Sequence, residues 1–228
     1  MTRSHLLDPE FPERLTLSGH IPICRFVQEL IADYSQHSLS YPTDKIIAFS
    51  GIAERMQRAL GTEVQHGIFD CLHRLLLWKR SDTKSGPIHY ENSVVPSWSW
   101  MFYNGSIEFL TYSTLRVVEN LSFESYLGIK IEVRQFERCC MNQTDNLTIL
   151  ADAGNVGFIY FDIDSTERNE FQNCVVIGIG ADDHNDDPDK EYYILAVRKT
   201  AGEGEYERLG AGQVRARYIS KSSAGKLL

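Results

Sequence analysis

The hydrophobic residues of this 228-residue chain change their period once, and that change constrains the fold more than any other feature. Up to about residue 80 they recur at steps of three and four. Ile23, Phe26, Val27, Leu30, Ile31 and Tyr34 make one apolar stripe, and Ile46, Phe49, Ala53, Met56 and Leu60 make a second. Beyond Trp98 the step is two: Leu127, Ile129, Ile131 and Val133 alternate with Gly128, Lys130, Glu132 and Arg134. Successive side chains of a strand point to opposite faces, so this run predicts a strand with one wet face. The expected class is α+β, with N-terminal helices packed on a C-terminal antiparallel β-sandwich or barrel.

Local signals place the elements. Pro22 suits a first helical turn, Thr43 and Asp44 offer caps for the second helix, and Gly61 suits its end. A third helical pattern runs through Ile68, Leu72, Leu75 and Leu76, flanked by Phe69 and Trp78 and closed by Lys79 and Arg80. The polar stretch from Ser81 to Gly86, with Pro87, reads as a loop or seam. Further strands are expected at Ser106–Ser113, Leu115–Glu119, Leu147–Ala151, Gly157–Ile163, Val175–Gly180, Tyr192–Lys199 and Gln213–Ile219. Turns are expected at Ala153-Gly154-Asn155, in the acidic run Asp182 to Asp189, and at Ala201 to Gly204. The organisation that follows is a loose lead-in over 1–20, a helical segment over 21–90 and an antiparallel β unit over 91–228, separate from the helices or integrated with them. Arg215, Arg217, Lys221 and Lys226 read as a solvated basic tail.

A formal net charge of -8 disfavours a broad grip on nucleic acid or an anionic membrane, which need clustered Lys and Arg. No apolar signal-peptide core follows the N-terminus and no run is long enough to span a bilayer, so a cytoplasmic location without a membrane span is expected. The sequons at Asn104, Asn120, Asn142 and Asn146 then mark a polar β surface. Cys24, Cys71, Cys139, Cys140 and Cys174 lack the paired spacings of a disulfide framework or zinc site and read as reduced thiols.

No catalytic, cofactor or metal constellation emerges. No Gly-x-Ser-x-Gly elbow is present, and in Pro96-Ser97-Trp98-Ser99-Trp100 the alternate indoles predict a strand packing both rings on one face. Cys71 and His73, two apart on a predicted helix, face different ways, which makes Cys71 a packed thiol. The run Asp182 to Asp189 lacks the central Gly and distant Glu of a calcium loop and reads as a solvated hairpin tip. Asp162 and Asp164 read as a surface strand end, and Gly178-Ile179-Gly180 and Gly202-Glu203-Gly204 as strand and turn glycines. His66 reads as a loop residue and His37 as a helix-end residue. Three Trp, eleven Tyr and eleven Phe supply a heavy aromatic core.

Several runs taken together resemble the heterokaryon-incompatibility (HET) proteins of fungi, in the part that follows their effector domain. They are Phe26 to Ser35, with its acidic-Tyr-Ser end at Asp33-Tyr34-Ser35; Leu39 to Ala53, with Asp44-Lys45 and Ser50-Gly51; and Gly67-Ile68-Phe69 with Leu75-Leu76-Leu77-Trp78. Pro96-Ser97-Trp98-Ser99-Trp100 and Tyr206-Glu207-Arg208-Leu209-Gly210 complete the set, in family order from about residue 23 onward. Phe69, Arg25 and Val95 depart from the family pattern. The resemblance implies a role in non-self recognition and programmed cell death on fusion of unlike hyphae. It also implies an α/β effector region, distantly similar to TIR domains, upstream of these runs. No counterpart precedes them here, so a truncated paralogue, a fragment of a longer HET protein or a regulatory decoy is expected.

The expected function is a non-enzymatic interaction or regulatory module with a protein partner, such as another HET-type protein. The alternatives are a glycan- or peptide-binding β-sandwich and an enzyme of unrecognised type. Tyr34, Asp44, Lys45, Gly51, Trp78, Pro96, Trp98, Trp100, Arg208 and Gly210 form the expected structural signature, with scaffold roles and no catalytic one.

Overall fold

The computed structural model describes residues 11–12, 17, 19–37, 39–81, 85–91, 94–112, 115–118, 121–125, 128–142, 147–162, 172–180, 187–220 and 222–228. Among the described residues two helices come first, α1 (His20–Gln36) and α2 (Lys45–Leu60). The stripe of α1 is the buried face, through Ile23, Phe26, Val27, Leu30 and Ile31. On α2 the buried face is Phe49, Ala53 and Met56. Gly61 closes α2 in the left-handed conformation, φ 60°, which only glycine adopts cheaply. Asp44 precedes α2 at the end of a 3-10 turn, Pro42–Asp44, and its side chain makes no cap hydrogen bond.

The third expected helix does not form. Its residues make a tight hairpin, β1 (Val64–Gln65) and β2 (Ile68–Phe69), then a 3-10 turn at His73–Leu76 and a strand β3 (Trp78–Arg80). His66 and Gly67 both have positive φ, 46° and 78°, as a two-residue turn of the primed type requires. Ile68, Phe69, Leu72, Leu75, Leu76, Leu77 and Trp78 are all buried. From Leu75 to Trp78 every residue is buried, and such a run carries no period to separate helix from strand. The segment 21–90 is thus helical only as far as Leu60.

The strands that follow are β4 (Ile107–Phe109), β5 (Leu115–Val117), β6 (Ser122–Ser125), β7 (Gly128–Gln135), β8 (Cys140–Met141) and β9 (Thr148–Ala151). Then come β10 (Gly154–Phe161), β11 (Asn173–Gly180), β12 (Glu191–Lys199), β13 (Glu205–Arg215) and β14 (Ser223–Leu227). β7, β11, β12, β13 and β14 close into a five-stranded barrel in the order β7-β11-β12-β13-β14. Every pairing in the ring is antiparallel except β13 with β14. β10, β9 and β8 extend the sheet from β13, β5 and β6 flank β11 and β7, and β3 pairs with β4. Closure removes the free edges that a long antiparallel sheet would otherwise expose.

Alternation divides the barrel wall between two cores. Tyr193, Leu195 and Val197 of β12 join the core that contains Ile31, Phe49, Trp78, Trp98 and Trp100. Tyr192, Ile194 and Ala196 join the core beneath β9 and β10, with Ile149, Ile159 and Phe161. The larger core therefore holds residues of α1, α2 and the barrel together.

The structure corrects several other expectations. Pro96 to Trp100 is not a strand: Ser97 and Trp98 lie in a turn and Trp100 opens a 3-10 turn, Trp100–Phe102. Tyr206 to Gly210 lies in the body of β13, so the strand expected at Gln213–Ile219 begins eight residues earlier and ends at Arg215. The basic tail is not solvated as a whole, because β14 runs through it and Leu227 is fully buried. Phe11 of the expected lead-in packs in the core against Phe26, with ring centroids 5.4 Å apart. Ile129, Ile131 and Val133 are buried on β7 as alternation predicts. Leu127, Asp164, Lys221 and the acidic run from Asp182 to Asp186 lie outside the described residues.

Candidate functional site

The polar groups that converge in this molecule do so inside it, where the 3-10 turn at 73–76, β3, the 96–103 segment, β10 and β13 meet. β13 brings in Arg208, 2% exposed. Its Nε donates to Asp162 Oδ2 at 2.7 Å and its Nη2 to Asp162 Oδ1 at 3.3 Å. Its Nη1 and Nη2 also donate to the carbonyls of Leu76 and Trp78. The guanidinium carbon stands 3.4 Å from the centroid of the Trp78 ring, a stacked cation–π contact out of water. Asp162, just past the end of β10, is fully buried. Burial pushes its carboxyl up, and the Arg208 guanidinium opposes that rise. Arg80 of β3 donates to the Asp162 carbonyl at 2.6 Å and stacks over Tyr103 at 4.3 Å.

A second knot lies under the start of α2. Lys45, 5% exposed, donates from Nζ to the Tyr103 carbonyl at 2.7 Å and to the Trp100 carbonyl at 3.5 Å. It also sits 5.1 Å from the Trp100 ring centroid. Burial, with a smaller contribution from Arg80, holds its ammonium down at about 8. Tyr34 donates to the Lys45 carbonyl at 3.4 Å and meets Trp100 and Phe49 edge-on, at 5.8 and 5.9 Å.

Serines tie the turns together. Ser99 Oγ donates to the His66 carbonyl at 2.7 Å and accepts from Met101 N–H at 3.0 Å, which caps the 3-10 turn. Ser97 Oγ accepts from Arg208 N–H at 2.9 Å and donates to the Leu228 carbonyl. Trp78 Nε1 donates to the Trp98 carbonyl at 2.9 Å, and Trp100 Nε1 to the Gly67 carbonyl at 3.3 Å. A Cβ on Gly67 would run into that indole nitrogen.

Of the ten signature residues, Tyr34, Lys45, Trp78, Pro96, Trp98, Trp100, Arg208 and Gly210 gather in or beside this junction. All three indoles are fully buried. Gly210 lets β13 approach β10, since a Cβ there would strike the Tyr160 carbonyl. Asp44 and Gly51 stand apart on the exposed side of α2. Asp162, Arg80 and Tyr103 escape sequence reasoning, which reads Asp162 as a surface strand end. The available signal is a single carboxylate closing the apolar run Phe158 to Phe161.

Elsewhere the structure adds little reactive chemistry. Cys71 is exposed rather than packed, while Leu72 takes the buried position. Burial pushes the thiols of Cys24 and Cys139 up to about 11 and raises those of Cys71 and Cys174, away from nucleophilic thiolate. His73 faces Asp70 at 3.4 Å, and burial lowers its imidazole despite that carboxylate. Among the described residues no group of three or more His, Cys, Asp or Glu is placed to hold a metal, and no helix is long and apolar enough to cross a membrane. Two surface depressions among the described residues lie away from the Asp162–Arg208 pair. One of about 420 Å³ between β6, β7 and β14 is lined by Ser122, Lys130, Glu132 and Ser223. Another of about 240 Å³ along α2 is lined by Ile46, Phe49, Ala53 and Met101.

No family model matches this chain. No curated protein and no solved structure shows significant similarity to it.

Proposed function

We propose that this chain is a non-enzymatic interaction or regulatory module of the HET type. In this reading it acts in the cytoplasm on a protein partner, such as another HET-type protein, in non-self recognition and programmed cell death. The observation that carries it is the convergence of the residues behind the resemblance. Tyr34, Lys45, Trp78, Trp98, Trp100 and Arg208 lie far apart in sequence yet meet in one buried junction between helices and barrel. The non-enzymatic part is supported by the state of the converging polar groups. Lys45, Arg80, Asp162 and Arg208 are all buried, and the three cationic side chains donate to backbone carbonyls. Those donations fasten elements to one another rather than presenting the charged groups to a substrate. With Trp78, Trp98 and Trp100 all buried, Tyr41 is the large exposed aromatic among the described residues, which gives a glycan-stacking surface no row of rings.

The test is expression of the chain in a filamentous fungal host, alone and beside a full-length HET protein, scored for hyphal death. The expected result is full viability with the chain alone and a changed frequency of death when the two are together. Death from the chain alone, or turnover of NAD by the purified protein, would overturn the reading.

A further inference from the structure

Gly51 lies in the middle of α2 on its outward side, with nothing within 4 Å of where a Cβ would stand. Glycine is a poor helix former, and none of the described residues comes close enough to require one here. At 3.6 residues per turn, Ile47, Gly51, Glu54, Arg55 and Arg58, with Asp44 just before the first turn, fall within one stripe about 100° wide. All six are exposed, and Ile47 leaves 75% of its surface in water. Asp44 and Arg58 stand seven residues before and after Gly51, about 21 Å apart along the axis. Neither has an ion-pair partner among the described residues.

We propose that this face of α2 is a homodimerisation surface, on which α2 packs antiparallel against α2 of a second copy about a twofold axis at Gly51. In such an isologous contact each residue meets the one equally far beyond the axis. Asp44 of each copy then lies opposite Arg58 of the other, so the two ends of the contact carry opposite charges. Ile47 lies opposite Arg55 of the second copy, over the aliphatic stems of Arg55 and the neighbouring Glu54. Gly51 against Gly51 lets the two backbones come close. A parallel pairing would set Asp44 on Asp44 and Arg58 on Arg58, so the charge pattern selects the antiparallel one. A single helix pair is a small contact, and the dimer is therefore weak and transient. The inference rests on the α2 surface alone and is independent of the HET-type reading.

The test is sedimentation equilibrium of the full chain from micromolar to near-millimolar concentration. A monomer–dimer equilibrium is expected. Arg58→Asp, which makes both ends of the contact repulsive, raises the dissociation constant by about tenfold or more. Adding Asp44→Arg to that variant restores it to within about threefold of wild type. Gly51→Leu weakens the dimer and leaves the melting temperature equal or higher, because the monomer has open space at that position. A chain that stays monomeric throughout overturns the proposal. So does a dimer indifferent to Arg58→Asp, or a charge swap that fails to restore association.

Discussion

Arg208 bonds to Leu76 and Trp78 on one side and to Asp162 on the other, all out of water. Such a pair does not add much stability over a well-packed apolar alternative, but breaking it leaves a buried charge without its counter-ion. Asp162→Asn is therefore expected to cost about 3–5 kcal/mol, read from urea unfolding midpoints. A loss below about 1 kcal/mol would mean the guanidinium is satisfied by carbonyls alone. Lys45 makes a pH prediction with a definite sign. Its folded value of about 8 lies below the ordinary lysine value of 10.5. Below pH 8 it is protonated in folded and unfolded chains alike and contributes no slope. Between pH 8 and 10.5 the unfolded chain binds the extra proton, so this residue's contribution to stability rises with pH. Burial raises several thiols and the Tyr103 hydroxyl, which act in the opposite direction at alkaline pH. The difference between wild type and Lys45→Met isolates the lysine. Wild type is expected to gain on the variant, by on the order of 2 kcal/mol, as pH goes from 7.5 to 9.5. A constant difference would sink the assignment.

Among the elements, β14 and the β1–β2 hairpin make the sharpest demands. β14 seals the barrel by pairing with β7 on one side and β13 on the other, and Leu227 is its fully buried side chain. Leu227→Ala is expected to cost about 2–5 kcal/mol, whereas Lys226→Ala, on a half-buried position, should stay within about 0.5 kcal/mol. Equal effects in chemical denaturation would show that the strand is not packed as described. In the hairpin, Gly67 combines a φ of 78° with an indole in the space a Cβ needs. Gly67→Ala should lower stability by more than about 2 kcal/mol, seen as an early unfolding midpoint. These elements also show where sequence patterns are readable. α1 and α2 have one buried face each and β7 alternates cleanly, so their periods are visible. The run from Leu75 to Trp78 and most of β12 are buried on both sides, and a double-sided apolar run has no period to read.

At the level of the whole molecule, one core holds Phe26, Ile31 and Phe49 from the helices and Ile129, Val175 and Leu195 from the barrel. Shared burial couples the two in unfolding. Near-ultraviolet circular dichroism, dominated by Trp78, Trp98 and Trp100, should lose its signal in the same transition as the far-ultraviolet band. Two separated transitions would show that helices and barrel are independent units. That Trp78, Trp98 and Trp100 are core residues is legible in the sequence, but how they are placed is not. Trp98 and Trp100 read as a strand because they alternate, yet they flank the Ser99 cap of a 3-10 turn and are buried against different neighbours, Trp98 against Phe123 and Trp100 against Phe49. The sequence by itself determined the two amphipathic helices, the left-handed stop at Gly61 and the alternation of β7, because each depends on residues within a few turns of one another. Only the tertiary structure decided the parallel pairing of β13 with β14, the closure of the barrel and the union of Asp162 with Arg208. Those contacts join residues tens of positions apart, and their free energy comes from taking both partners out of water together, which no local pattern records.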